Sequence, residues 1–223
     1  MNGRERLALA HCVDPADRSW ENSACHYIRK AWKLLDRAFP ILFAPQDVPG
    51  FLPQPECAYR ESLQQRVVEM VRPVMTPNAR TMRELVLKFA VEQKLPTAWM
   101  CGKDALAQMI LLPFQHARLD FDLLPTGEWN GYDFCQWLPA FTAVAKSPLR
   151  VVRWEQLTGP RMRERIRWLA EERGIRHWHP AHENKIRHFV CGCPAAGAEL
   201  KSVLHSLAVE LDTEFLLVEC ARF

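Results

Sequence analysis

LRVVRWEQ (149–156), TGPRMRERIRWLAEERG (158–174), GIRHWHPAHENKIRHFVCGC (174–193), PAAGAELKSVLHSLAVELD (194–212) and TEFLLVECARF (213–223) carry the reading of the fold. The first is an apolar-rich run of strand type. The second is a bounded amphipathic helix, with Thr158 placed to cap it, Pro160 suited to its first turn and Gly174 to its stop. The third holds two short extended runs around a polar turn, the fourth is a second helix and the fifth a last strand. That order, β-α-β-β-α-β, predicts a ferredoxin-like unit over residues 149–223.

Upstream, helical periodicity dominates. SWENSACHYIRKAWKLLDRAF aligns Ala24, Ile28, Ala31, Trp32, Leu35 and Phe39, with Ser19 placed as its cap and Pro40 as its stop. PILFAPQDVPGFLPQP, with five prolines, is an irregular arm. Tyr59, Leu63, Val67 and Val71 predict a helix over 56–72, and Met82, Leu85, Val86, Phe89 and Ala90 another over about 77–93. TAWMCGKDALAQMILLP is harder to place, and its second half reads as a short buried helix ending at Pro113. The alternation of Leu119, Phe121 and Leu123 predicts a half-buried strand. DFCQWLPAFTAVA reads as a helix with Asp133 near its cap, kinked or split at Pro139. The expectation is an α+β protein. A mainly helical region over 1–116, with its Pro-rich arm, packs on an α/β region over 117–223 that contains the ferredoxin-like unit, and no flexible linker separates them.

Hydrophobic residues make up 48% of the 223 and charged residues 25%, enough apolar content to bury a real core. Eight Trp is high for this length and suggests that some serve an interface within a larger complex. The eight Cys are scattered with no CxxC pair, which excludes a zinc ribbon and argues for reduced thiols in a cytosolic protein. The N-terminus is a poor secretory signal, and no run approaches the ~18 consecutive apolar residues of a membrane span. The expectation is therefore a cytoplasmic chain with no membrane partner.

The net charge of +3 hides an asymmetry. Residues 146–190 hold eleven Lys/Arg against five Asp/Glu, so this segment carries +6 and the rest of the chain −3. On the helix, Met162, Ile166, Leu169 and Ala170 form the apolar stripe, with Arg161, Arg165 and Trp168 on one flank and Arg163 and Arg167 on the other. The like-charge pairs Arg161/Arg165 and Arg163/Arg167 each cost an isolated helix about 0.2–0.5 kcal/mol. Arg rather than Lys points to partners that a guanidinium can fork onto or stack against. Arg150, Arg153, Arg176, Lys185 and Arg187 extend the basic character, and Trp168 and Trp178 lie among the cations. That composition predicts a face for RNA or single-stranded DNA. The competing readings are a plainly solvated or internally paired Arg surface, and an adaptor or inhibitor docking an acidic protein surface.

Over residues 149–223 the topology resembles that of ferredoxin-like RNA binders. IRHFVCG, however, has one central aromatic and lacks the glycine spacing of an RNA-recognition motif, so that family is not implied. His177, His179, His182 and His188, with Glu183, lie close enough in sequence to hold a metal ion or to act as acid and base in a nuclease. HxH is too common a pattern to carry either assignment, so no metal ligand and no catalytic residue is named. GKDALAQM lacks the first glycine and the Ser/Thr of a phosphate loop. A nucleophile elbow and a dinucleotide fingerprint are also absent, and nothing in the sequence calls for a cofactor.

Overall fold

The computed structural model describes residues 23–39, 55–101, 104–153, 163–164, 166–167, 186, 188–194 and 198–220. In chain order they form α1 (Ala24–Ala38), α2 (Pro55–Val71), α3 (Pro77–Val86), a π-helical turn (Leu87–Glu92), β1 (Thr97–Cys101), α4 (Ala105–Ala117), α5 (Leu123–Thr126), α6 (Gly131–Ala145), β2 (Leu149–Arg153), β3 (His188–Pro194), α7 (Ala198–Leu211) and β4 (Glu214–Cys220). A short 3-10 turn, Arg72–Val74, separates α2 from α3.

The four strands make one sheet in the order β2-β1-β3-β4, and every pairing is parallel. Trp99 of β1 lies opposite Val151 on one side and Val190 on the other. Side chains alternate between two apolar layers. Trp99, Cys101, Val151 and Val190 join the layer of α1, α2, α3, α4 and α6. Ala98, Met100, Val152, Phe189 and Cys191 join the layer of Leu204, Leu207 and Leu211 from α7, together with Ile166. From β1 the chain crosses the first face to reach β2. From β2 to β3 and from β3 to β4 it moves the other way, and the described residues of those connections lie on the second face. Reversing direction while changing face preserves one crossover hand, so the architecture is a doubly wound three-layer sandwich.

The expected ferredoxin-like unit is therefore corrected. The α+β character holds as a mixture of helix and strand, but the strands of 149–223 do not form a sheet by themselves. The strand missing from that reading is β1, inserted between β2 and β3. All five of its residues are buried, so TAWMC lacks the polar/apolar alternation of a half-exposed strand. The extended run expected before Pro180 lies outside the described residues. The run after it, β3, pairs in parallel with β1 and β4.

Local chemistry explains the other boundaries. Ser23, not Ser19, caps α1, its hydroxyl accepting from the His26 amide at 3.2 Å. Ser19 lies outside the described residues. In α6, Asn130 and Asp133 form a reciprocal capping box. The helix runs through Pro139 without splitting. Likewise α4 continues past Pro113 to Ala117, where Arg118 takes a left-handed conformation at φ 59°. The strand expected at 119–123 is instead a turn leading into α5. Phe121 is buried there against Phe114, with ring centroids 5.3 Å apart, and the alternation that suggested a strand reflects a compact turn under α4. Tyr59, expected in the buried stripe of α2, is 67% exposed, while Leu63, Val67 and Val71 are buried.

Candidate functional site

Ile166 is completely buried in the α7-side layer, while Arg163 and Glu164 beside it are exposed. Burying a side chain of this size contributes about 1.5–3 kcal/mol, enough to fix which way the segment faces. The apolar stripe read from the sequence is thus the inward one at Ile166, while Arg163 and Glu164 face out. Arg167 is half-buried and grips Glu210 of α7 with two hydrogen bonds, Nε to Oε1 at 2.6 Å and Nη2 to Oε2 at 2.9 Å. Those bonds hold the Glu210 carboxyl below its ordinary pKa, with the charge of nearby Arg163 adding to the effect.

Arg150 shares the same face of the sheet as Ile166, by alternation with Val152. It is only 4% exposed, beside a bridge to Ser23, and does not present its guanidinium to solvent. Arg153 closes β2. Arg161, Arg165, Trp168, Arg176, Trp178, Lys185 and Arg187 lie outside the described residues. Of the predicted cationic residues, the structure shows Arg163 exposed, Arg167 half-buried and Arg150 buried.

His188 opens β3 and meets the Phe89 ring edge-on, with centroids 4.2 Å apart. Its amide donates to the Pro96 carbonyl. His177, His179 and His182 lie outside the described residues. Among the described residues, no three His, Cys, Asp or Glu side chains converge as a metal-ligand set. Cys191, on the strand face opposite His188, is fully buried with its thiol 3.2 Å from the Met100 sulfur. It packs as a small hydrophobe.

A second feature went unread in the sequence. Between α3, the π-helical turn and the C-terminal half of α4 lies a cleft of about 1180 Å³. Arg83 of α3 lies in its wall, 5% exposed. Its Nε donates to Gln115 Oε1 at 2.6 Å, and its Nη1 to the Val74 carbonyl at 2.9 Å and to Gln108 Oε1 at 2.7 Å. Gln115 in turn donates to the Arg80 carbonyl at 3.0 Å. Burial, with the neighbouring charge of Arg80, lowers the guanidinium pKa to about 10, so it stays charged at neutral pH. Also on the cleft, His116 is lowered chiefly by burial. The signal that could have found Arg83 is its spacing: one position after Met82 and three before Val86, it sits inside an apolar stripe where a cation has no ordinary place.

The strand order also defines a switch point between β1 and β3, where connections leave in opposite directions. The residues that follow β1 there, Gly102 and Lys103, lie outside the described residues. No helix among the described residues is long and apolar enough to cross a membrane. No protein-family model matches the chain, and no curated protein matches it significantly.

Proposed function

We propose that the protein binds nucleic acid, RNA or single-stranded DNA, through the Arg-rich segment that follows β2, as an accessory component of a larger assembly. One observation supports the reading: Ile166 is buried under the sheet while Arg163 beside it is exposed. The eleven cations against five acids over residues 146–190 give this segment an excess that neutralising phosphates would use. Arg167 has a positioning role in this reading. Clamped on Glu210, it fixes the segment against α7 and leaves Arg163 and its sequence neighbours as the contacting groups.

The test is a titration of the purified chain against labelled single-stranded RNA, single-stranded DNA and duplex DNA at two salt concentrations. Binding should weaken by about 0.7–0.9 log units per phosphate contact for each log unit of salt. The variant combining Arg161→Ala, Arg163→Ala and Arg165→Ala should lose binding while its circular dichroism stays that of the parent. Equal binding by parent and variant would reject the reading. Capture of an acidic protein that the same variant abolishes, with no affinity for nucleic acid, would replace it with the adaptor.

A further inference from the structure

We infer that the cleft between α3 and α4 is a binding site for a small organic oxyanion, a phosphate monoester or carboxylate with an apolar body, and that Arg83 is its charged anchor. The inference does not rest on nucleic-acid binding, because α3 and the Arg163 segment lie on opposite faces of the sheet.

Arg83 is a buried cation whose hydrogen-bonded partners are all neutral: two glutamine oxygens and a backbone carbonyl. Among the described residues no carboxylate is hydrogen-bonded to it, and the charge of Glu84 offsets only part of the effect of burial and of Arg80. The adjacent Glu84 makes its ion pair with Arg80, at 3.3 Å, and reaches Arg83 only through its charge. Three neutral acceptors can be satisfied by an uncharged donor, so the charge is what they leave over. Buried charges in folded proteins are paired, and an anion entering the cleft would complete this one. A guanidinium fork fits the paired oxygens of phosphate or carboxylate.

The rest of the cleft suits such a ligand. Lys88 and Arg118 are balanced by Glu92 and Asp120, and Arg80 by Glu84, which leaves Arg83 as the surplus charge of the lining. Leu119, half-buried, with the nearly buried Leu111, Phe114 and Phe121, supplies an apolar patch for the body of the molecule. The cleft is lined about equally by polar and apolar surface, and a concave space in which polar groups converge beside an apolar patch can seat a small molecule. Arg83 and Gln115 are already cross-braced between α3 and α4, so the donor that meets the anion is held in place before it arrives.

Calorimetric titration of the full-length protein with phenyl phosphate, benzoate and inorganic phosphate tests this. Phenyl phosphate or benzoate should bind saturably, and more tightly than inorganic phosphate, because only they reach the apolar patch. Arg83→Met should weaken binding at least about tenfold, the factor that loss of one hydrogen bond to a charged group carries. Because Arg83→Met also releases two buried acceptors and one partly buried one, Lys88→Ala is the second variant. Lys88 is exposed, so the fold should be unchanged, and affinity should fall about two- to fivefold. Binding by phenyl phosphate alone assigns the phosphate source, and binding by benzoate alone the carboxylate. No saturable binding of any of the three in the millimolar range overturns the inference. So does equal affinity in the parent and in folded Arg83→Met.

Discussion

Arg167 and Glu210 form a two-pronged ion pair across 43 residues of sequence, joining the basic segment to the outer side of α7. Both side chains are about two-fifths exposed, so solvent screens the pair and its removal should cost little stability. Its pH dependence is the clearer readout. The Glu210 carboxyl titrates below its ordinary 4.5 when folded, chiefly through the Arg167 hydrogen bonds. A depressed carboxylate pKa contributes stability above the unfolded value and loses it as pH falls through the folded one. The melting temperature of the parent should therefore fall more steeply below pH 4.5 than that of Glu210→Gln. Parallel curves for the two proteins would show that the pair does not form in solution.

The placement of β1 predicts a pattern of amide exchange. β1 is bonded to a strand on each side and covered on both faces, whereas β4 is an edge. Amides of Ala98, Trp99 and Met100 should exchange only with global unfolding, while alternate amides along β4 exchange faster. Hydrogen exchange followed by mass spectrometry of peptides spanning 97–101 and 214–220 checks this. Fast exchange across 97–101 would remove β1 from the centre of the sheet.

How far the sequence discloses this architecture depends on the kind of signal. Helices with one wet face were legible: Leu63, Val67 and Val71 of α2, and Ala24, Ile28, Ala31 and Leu35 of α1, are buried as their spacing required. β2, β3 and β4 were also placed close to their observed limits, but their pairing was not. The period of a strand says which residues share a face and nothing about its neighbour. With Trp99 and Met100 facing opposite apolar layers, β1 has no polar side to alternate with. At the candidate sites, Ile166 and Arg163 fall on opposite sides as the stripe implied. The burial of Arg150 was hidden, because a cation at an inward strand position looks in sequence like any other strand cation. Arg83 differs: its place in the α3 stripe marks it as inward, but its acceptors lie 9, 25 and 32 residues away and no local pattern points to them.

Thiol accessibility offers a quick check on the layers. Cys135 on α6 is exposed, whereas Cys25, Cys101 and Cys191 are buried and unbridged. In native protein, a maleimide reagent should label Cys135 within minutes and leave the other three until denaturant is added. Peptide mapping of the labelled chain assigns the sites. Native labelling of Cys191 would be incompatible with its position between β3 and α7.

The aromatic cluster under α1 and α6 should carry a large share of the stability of the helical layer. Trp137 is 1% exposed and packs against Phe141 at 4.7 Å, Phe114 at 5.7 Å and Trp32 at 5.8 Å between ring centroids. These contacts tie α1, α4 and α6 to one another. Trp137→Ala removes the shared member and leaves a cavity that three separate helices border, so collapse around it is restricted. The expected loss is about 3–5 kcal/mol in urea unfolding. Trp137→Phe retains a ring in the same place and should cost well under half as much. A loss below about 1 kcal/mol for Trp137→Ala would mean that the cluster is loosely packed and that α6 is held mainly by its capping box and its contacts with the sheet.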